Sequence, residues 1–206
     1  MGIQAVKKPR WIVVAGPRRT GSTLLYNIIR LALPGRRSSI GLVDAWVCDR
    51  LALVRPEVDT VVKVHDWIVG AMPETVCYVV SVRNPADTKS SLTRFPETRD
   101  RVEQEMSNAE NVYHNLLSDA VVFRYEAYFQ SPIQTLRRLV TNLEIEADDR
   151  LLLHIQNVLD PKRLQATTDA RFEMRRDHIS KTLGEPGHGP AIDLAPYPAW
   201  RALVGA

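Results

Sequence analysis

The hydrophobic pattern of the chain alternates between short apolar runs and longer stretches in which apolar residues recur at helical spacing. Four short runs rich in β-branched residues predict buried strands: "WIVVAG" at 11–16, "TVVKVH" at 60–65, "TVCYVVSV" at 75–82 and "AVVFRYE" at 120–126. Helical spacing and helix-start signals predict helices over 22–33, 42–54, 85–95, 98–117, 131–143 and 148–159. The hydroxyl residues at 22–23 and Asp87 are expected to cap the helices in which they lie.

Strands that alternate with helices predict a parallel sheet with helices on both faces, which is a three-layer α/β fold. The strands are continuous apolar runs, as a sheet covered on both faces requires. We predict one domain over 1–206, with an irregular C-terminal segment from about 160 to 206, where arginine, glycine and proline interrupt the pattern. The final stretch, "AIDLAPYPAWRALV", docks either on this core or on a second subunit, so a homo-oligomer stays open.

Composition narrows the class of protein without indicating a function. The 206 residues are 45% hydrophobic and 25% charged, which is ordinary for one soluble globular domain. The net charge of +3 suits a small anionic ligand, but it is too small to indicate a nucleic-acid partner. Two cysteines, Cys48 and Cys77, make no disulfide framework, and no run is long and apolar enough to span a bilayer. We expect a cytoplasmic protein with no membrane partner.

The loop "AGPRRTGST" at 15–23 follows the first predicted strand and nearly matches the nucleotide-binding P-loop, G-x-x-x-x-G-K-[ST]. Gly16 and Gly21 have the required spacing, but Ser22 stands where that pattern has its lysine. The lysine reaches the β- and γ-phosphates of a nucleoside triphosphate, so its replacement argues against ordinary ATP or GTP hydrolysis.

The other features of this loop still favour an anion. Backbone N–H groups at the start of a helix point outward, and the helix dipole adds positive potential. Arg18 and Arg19 add charge at the mouth of the loop, and the hydroxyls of Ser22 and Thr23 are available as hydrogen-bond donors. The alternative is a tight strand–helix turn that binds nothing.

Lys63 and His65 lie at the end of the second predicted strand, on the same side of it. Ligands of parallel α/β sheets bind at the carboxyl ends of strands, so both residues should face the crevice of the loop. A lysine at the end of an apolar strand is costly unless an anion neutralises it, and a neighbouring histidine can act as a general base. Alternatively, Lys63 reaches solvent and His65 hydrogen-bonds a loop carbonyl.

A third cluster follows the third strand, in "VRNPADTKSSLTRF". Arg83 stands at the strand end, and Ser91 lies on the helix that begins near Pro85. A guanidinium fork and a hydroxyl that converge across a strand–helix turn suit a second phosphate group. The alternative is a structural turn with a surface arginine.

Taken together and in this order, "GPRRTGSTLL", "VVKVH" and "VVSVRNPADTKSS" resemble the sulfotransferases that use 3′-phosphoadenosine 5′-phosphosulfate (PAPS). The resemblance covers roughly residues 10–145. It implies a P-loop NTPase-like sulfotransferase fold, in which the first loop holds the 5′-phosphosulfate. It also implies that the R-N-P-x-D-x-x-x-S element, here 83–91, holds the 3′-phosphate.

The resemblance also implies roles for single residues near the transferred group. Arg19 matches the loop cation beside the bridging oxygen of the leaving phosphosulfate. Lys63 and His65 match a K-x-H pair in which lysine contacts the sulfuryl group and histidine takes the acceptor's proton. Asp66 is the alternative base. The acceptor implied is a hydroxyl or amine of a small molecule or glycan, and no metal is expected, since no cluster has metal-ligand spacing.

The residues implied to hold the nucleotide lie in four segments of the chain. Loop residues at the 5′-phosphate are Arg18, Arg19, Thr20, Gly21, Ser22 and Thr23. Arg83 and Ser91 form the 3′-phosphate pair, and Tyr125, in "FRYEAYFQSP", lies near the adenine. Several positions depart from the family's pattern, among them the loop cation, which is arginine rather than lysine. Leu24 stands where a tryptophan usually stacks on adenine, and Lys181, in "HISKTLGEPG", is the best candidate for the C-terminal clamp on the 3′-phosphate.

Two other functions stay open. A P-loop small-molecule kinase would need the loop lysine, which is absent, and a magnesium-binding acid, for which Asp66 is the only candidate. A non-catalytic nucleotide-binding or scaffold protein would keep the fold without the chemistry, although Lys63 and His65 argue against it.

Overall fold

The computed structural model describes residues 11–33, 37–43, 59–65, 76–94, 98–115, 120–160 and 191–205. Within these ranges the chain forms, in order, β1 (Trp11–Ala15), α1 (Ser22–Ala32), β2 (Arg37–Val43), β3 (Asp59–Val64), β4 (Val76–Val82), α2 (Pro85–Thr93), α3 (Arg99–His114), β5 (Val121–Arg124), α4 (Tyr125–Gln130), α5 (Pro132–Asn142), α6 (Asp149–Val158) and α7 (Pro198–Val204).

The five strands form one parallel sheet in the order β2-β3-β1-β4-β5. In the centre, Ile12 of β1 pairs with Val61 of β3 on one side and with Cys77 of β4 on the other. The chain therefore leaves β1 toward one edge of the sheet and later returns to build the other. A crevice opens at such a reversal, at the carboxyl ends of the central strands, and this is where the candidate residues lie.

Both faces of the sheet are covered, which confirms the predicted three-layer architecture. On one face, Ile12, Val14, Val79 and Phe123 pack against apolar residues of α1, α4, α5 and α6. On the other face, Val80 and Val82 pack against α2, α3 and α7 through Leu92, Val102, Met106, Ala109, Val112, Tyr113 and Trp200. Alternate residues of one strand serve opposite faces because successive side chains of a strand point to opposite sides.

Three predicted elements differ from the structure. The strand β2 was not predicted, and the helix predicted over 42–54 begins within that strand; residues 44–54 lie outside the described ranges. The strand predicted over 120–126 ends at Arg124, where α4 begins. The C-terminal segment predicted to be irregular contains α7.

The helix caps also differ from those predicted. The N-cap of α1 is Gly21, not a hydroxyl residue, and it makes no side-chain cap hydrogen bond. The cap of α2 is Asn84, whose Oδ1 accepts a hydrogen bond from the backbone N–H of Ala86 at 2.9 Å, while Asp87 lies inside the first turn. Asn84 precedes Pro85, which favours the extended backbone that an N-cap needs.

The C-terminal helix α7 docks on the core of its own chain. Trp200 is fully buried and contacts the ring of Tyr113 edge-on, with 5.2 Å between ring centroids. Both carboxylate oxygens of Glu110 on α3 accept backbone N–H groups at the start of α7, from Ala199 at 2.7 Å and from Trp200 at 2.9 Å. Apolar burial and these two hydrogen bonds hold α7 beside β4.

Candidate functional site

The loop between β1 and α1 is built on two glycines with different tasks. A Cβ at Gly16 would lie 2.4 Å from Ser81 Oγ and 2.5 Å from Ser22 Cβ, so the backbone there touches β4 and α1 closely. Gly21 has a φ of +94°, in the left-handed region that disfavours residues with a Cβ. The loop turns tightly into α1 because both positions lack a side chain.

Gly21→Ala is expected to destabilise the protein by about 2–4 kcal/mol, from the left-handed backbone and from overlap with a fixed ring. The added Cβ would lie 2.3 Å from Cδ2 of Tyr125, which is fully buried. Gly205→Ala is the matched control, because Gly205 also has a positive φ but its added Cβ would lie 3.9 Å from its nearest neighbour. Urea unfolding of the two variants measures the difference, and equal losses would contradict the overlap.

A buried network of hydroxyl groups supports the loop from below. The hydroxyl of Thr20 donates to the Pro17 carbonyl at 2.7 Å. Since its single hydrogen is used there, Ser81 is the donor in the 2.8 Å bond between the Ser81 and Thr20 hydroxyls. The hydroxyl of Tyr113 donates to the Ser81 carbonyl at 3.1 Å, and burial raises the pKa of this phenol well above its usual value. Thr20 therefore directs its hydroxyl into the protein and not to the mouth of the loop.

The two loop arginines differ in geometry. Arg19 has a φ of +67°, a left-handed backbone that is uncommon for a residue with a side chain. Its carbonyl accepts a hydrogen bond from Nη1 of Arg83 at 3.4 Å. Arg18 forms an ion pair with Glu105 of α3, with 3.2 Å between Nε and Oε1. One loop arginine is thus connected to β4 and the other to α3.

Lys63 supplies from β3 the ammonium group that the loop lacks at position 22. Its Nζ donates to the hydroxyl of Thr23 at 2.5 Å, and the residue is only 7% exposed. Burial, and next the positive charges of Arg19 and Arg18, lower the pKa of Lys63 to about 8. Among the described residues, no carboxylate pairs with this ammonium group. A buried cation without a carboxylate partner is costly, and a bound anion would remove that cost.

The affinity of this site for a phosphate anion is expected to fall as the pH rises above about 8, approaching tenfold per pH unit. Only the protonated form of Lys63 can pair with an anion, and its pKa of about 8 means that the free protein loses this proton in that range. Calorimetric titration with 3′-phosphoadenosine 5′-phosphate (PAP) measures the slope.

Lys63→Arg is the control for this pH dependence, because arginine stays protonated throughout the range. The variant should bind PAP with an affinity that no longer changes above pH 8. A wild-type affinity that is flat across this range would show that Lys63 does not face the anion.

His65 contacts the opposite side of the same loop. Its Nδ1 lies 2.8 Å from the carbonyl oxygen of Gly16. A carbonyl only accepts hydrogen bonds, so Nδ1 carries the hydrogen, and in the neutral ring Nε2 has the lone pair. The half-buried ring is therefore held in the tautomer that leaves Nε2 basic. From the sequence, this contact with a loop carbonyl is the alternative to a catalytic role. The contact is compatible with catalysis, because it uses only one of the two ring nitrogens.

Arg83 is the second buried cation of the site. It follows β4 directly and is 3% exposed, and its guanidinium lies over the ring of Tyr125, 4.6 Å from the centroid. Its Nε is buried and has no hydrogen-bond partner, and no carboxylate pairs with it among the described residues. Ser91 is also buried, on α2. An unsatisfied guanidinium N–H at this depth favours an anionic ligand.

The structure brings together most of the predicted site residues at the carboxyl ends of β1, β3 and β4. The ring of Tyr125 packs against Gly21 and against the guanidinium of Arg83. The nearness of Tyr125 to adenine stays a prediction. Asp66 and Lys181 lie outside the described ranges. Sequence reasoning missed Ser81 and Tyr113, which support the loop, and Glu126 and Trp200, which hydrogen-bond the backbone of Asn84 and Arg83. Only Trp200 had a local signal, as a tryptophan in an apolar stretch, and that signal does not identify its partner.

Similarity to known proteins is found by structure and not by sequence. No family model matches the sequence, and no curated protein sequence matches it significantly. The structure of mouse sulfotransferase SULT7A1 complexed with PAP aligns with a TM-score of 0.61 at 14% identity, over 77% of this chain and 67% of that one. Retinol dehydratase with androsterone and inactive cofactor PAP aligns with a TM-score of 0.59 at 14% identity, over 96% of this chain and 76% of that one.

A second structure of retinol dehydratase, in a complex with retinol and PAP, aligns with a TM-score of 0.52 at 15% identity, over 96% of this chain and 77% of that one. At such identities the alignments show the fold. The chain has a sulfotransferase-like fold of the P-loop type, as the three motifs predicted.

Two further properties can be read from the described part of the chain. None of its helices combines the length and the apolar character needed to cross a membrane. Within the same ranges, no three histidine, cysteine or acidic side chains come close enough together to hold a metal ion.

Proposed function

We propose that this chain, with its sulfotransferase-like fold, is a PAPS-dependent sulfotransferase that transfers a sulfuryl group to a hydroxyl or amine. The observation that carries the proposal is the pair of buried cations, Lys63 and Arg83, at the ends of the two strands that flank β1. Neither has a carboxylate partner among the described residues. Two such cations on either side of one P-loop-like turn suit a nucleotide with phosphates at both the 5′ and the 3′ positions of its ribose.

The 5′ end of the nucleotide is proposed to lie in the loop. The backbone N–H groups at the start of α1 have no partner within the helix, and the positive end of the helix dipole is directed at the same place. Ser22 and Thr23 add hydroxyl groups to this cradle, and Arg19 adds positive charge. Arg18 adds a charge that its ion pair with Glu105 partly offsets. Thr20 contributes through the shape of the loop, because its hydroxyl is committed to Pro17 and Ser81.

The 3′-phosphate is proposed to bind Arg83 and Ser91. Among the described residues, the buried Nε of Arg83 has a hydrogen to donate and no partner to receive it, which fits a bound phosphate oxygen. Charge-assisted hydrogen bonds from a guanidinium to a phosphate are among the stronger polar contacts in proteins. Lys181, in a segment outside the described ranges, stays the candidate for a second contact.

In the proposed reaction the donor supplies the sulfuryl group. The acceptor's oxygen or nitrogen forms a bond to sulfur while the bond between sulfur and the 5′-phosphate oxygen breaks, and PAP leaves. His65 takes the acceptor's proton on Nε2, the nitrogen left basic by the contact with Gly16. Lys63, Arg19 and the loop amides stabilise the negative charge that develops on the sulfuryl and phosphate oxygens. Asp66 is kept as the alternative base.

We propose a small molecule or a glycan as the acceptor. Two of the similar structures contain androsterone or retinol. These ligands belong to retinol dehydratase, and they support a small-molecule acceptor for this chain without specifying one.

The direct test of the proposal is an acceptor screen with isotopically labelled PAPS. Purified protein is incubated with the donor and a panel of alcohols, phenols, amines and glycans, and products are detected by their gain of a labelled sulfuryl group. The expected result is acceptor-dependent formation of PAP together with a labelled product. The His65→Asn variant serves as the control for contaminating activity.

The two alternative functions give different results in a binding assay. A sulfotransferase should be stabilised against heat by PAP far more than by ATP with magnesium, whereas a small-molecule kinase should show the reverse order. A non-catalytic protein of this fold should bind PAP but form no product across the acceptor panel. Failure to bind PAP at millimolar concentration would refute the proposed function.

A further inference from the structure

The peptide group between Arg83 and Asn84 is held at both of its polar atoms by side chains from distant parts of the chain. The carbonyl of Arg83 accepts a hydrogen bond from Nε1 of Trp200 at 2.8 Å. The N–H of Asn84 donates to Oε1 of Glu126 at 2.8 Å. We refer to Trp200 and Glu126 together as the peptide clamp.

The two halves of the peptide clamp come from opposite sides of Arg83. Trp200 lies on α7, 117 residues along the chain from Arg83, and is fully buried among the residues that cover β4. Glu126 lies in the first turn of α4, beyond the end of β5. The clamped peptide joins Arg83, the residue after β4, to Asn84, the N-cap of α2.

We propose that the peptide clamp positions Arg83 and thereby sets the preference of the site for a nucleotide that carries a 3′-phosphate. This inference rests on the proposed function. Fixing the plane of the peptide fixes the direction in which the Arg83 side chain leaves the backbone. The guanidinium is then held over Tyr125, with its Nε buried and without a hydrogen-bond partner among the described residues.

The clamp has an energetic reason to exist. A buried guanidinium without a carboxylate partner has lost its hydration, which favours movement of the side chain back to solvent. The clamp opposes this movement. Among the described residues, the direct polar contact of this guanidinium is one bond of 3.4 Å to the Arg19 carbonyl, together with the face of the Tyr125 ring. A pre-positioned donor loses less conformational entropy when the phosphate binds, so the clamp should raise affinity for the 3′-phosphate specifically.

The test compares two ligands that differ only in the 3′-phosphate, PAP and adenosine 5′-phosphate (AMP). In Trp200→Phe, which keeps an aromatic ring but removes the N–H donor, PAP affinity should fall by about three- to tenfold. AMP affinity should change by less than about twofold, because AMP uses the 5′ cradle only. Calorimetric titration of both ligands against each variant measures the ratio of the two affinities.

Glu126 offers a matched pair of variants for the other half of the clamp. Glu126→Ala removes the acceptor, whereas Glu126→Gln keeps an oxygen that can accept the Asn84 N–H, and both remove the same charge. The ratio of PAP to AMP affinity should fall in the alanine variant and return toward the wild-type value in the glutamine variant. Leu203→Ala, on α7 and packed against the same apolar cluster without a bond to Arg83, controls for loosening of that helix.

Each outcome decides the inference. Wild-type protein that binds PAP no better than AMP would refute the proposed 3′-phosphate site itself. An unchanged ratio in both Trp200→Phe and Glu126→Ala would overturn the clamp and leave the proposed function standing. An equal loss of the ratio in Leu203→Ala would assign the effect to packing. If Trp200→Phe fails to fold, the comparison of Glu126→Ala with Glu126→Gln decides, and equal ratios overturn the inference.

Discussion

Replacing Arg83 with methionine is expected to weaken PAP binding by about ten- to hundredfold, the loss of one or two charge-assisted hydrogen bonds. Methionine keeps a long side chain over the ring of Tyr125, so the packing that surrounds this buried position is largely preserved. AMP should bind the variant about as well as it binds the wild type, because the 5′ cradle is unaltered. Calorimetric titration with the two nucleotides gives both affinities.

The matched control for Arg83→Met is Arg94→Met. Arg94 is an exposed arginine at the end of α2, and its loss changes the net charge of the protein by the same amount. It should leave PAP affinity within about twofold of wild type, because exposed charges act weakly through water and salt. An equal loss of affinity in both variants, or none in Arg83→Met, would show that Arg83 does not hold the 3′-phosphate.

His65→Asn is expected to lower turnover by about a hundred- to ten-thousandfold, the usual contribution of a positioned general base. The asparagine amide can still donate to the Gly16 carbonyl in place of Nδ1, so the loop should keep its shape. PAP affinity should therefore stay close to that of the wild type. Steady-state rates with labelled PAPS and the acceptor found by screening, together with PAP titrations, separate the two effects.

His154→Asn on α6 is the control for this substitution, because His154 is exposed and lies on a helix that packs against α1 and α5, away from the crevice. It should keep full turnover. Turnover of His65→Asn within tenfold of wild type would mean that another group takes the proton, and Asp66 would be the first residue to replace.

The sheet and most of its helices could be predicted from the sequence because their signals are local. The continuous apolar runs at 11–16 and 75–82 are typical of strands buried on both faces, and β1 and β4 occupy these positions. The strand β2 was not predicted, because "RSSIGLV" has only three apolar residues, without regular alternation. Its strand character comes from pairing with β3, and intrinsic preference contributes little to it.

The charged residues of the candidate site could also be predicted from the sequence. The residues that hold them in place could not. Lys63 and Arg83 stand at strand ends, and parallel strands bring their carboxyl ends to one edge of the sheet, so topology alone makes them neighbours. The burial of both cations, the tautomer of His65 and the inward direction of the Thr20 hydroxyl depend on atoms contributed by other segments. No spacing along the chain specifies such contacts.

The sequence alone indicates an α/β chain with a P-loop-like turn and two further cationic elements. These features could be read from it because periodicity and glycine spacing depend only on residues close together in the chain. Only the tertiary structure decided that α7 returns to β4 and that Trp200 and Glu126 hold one peptide beside Arg83. Contacts across 117 and 42 residues leave no local pattern, since their free energy comes from burial and hydrogen bonding that exist only in the folded chain.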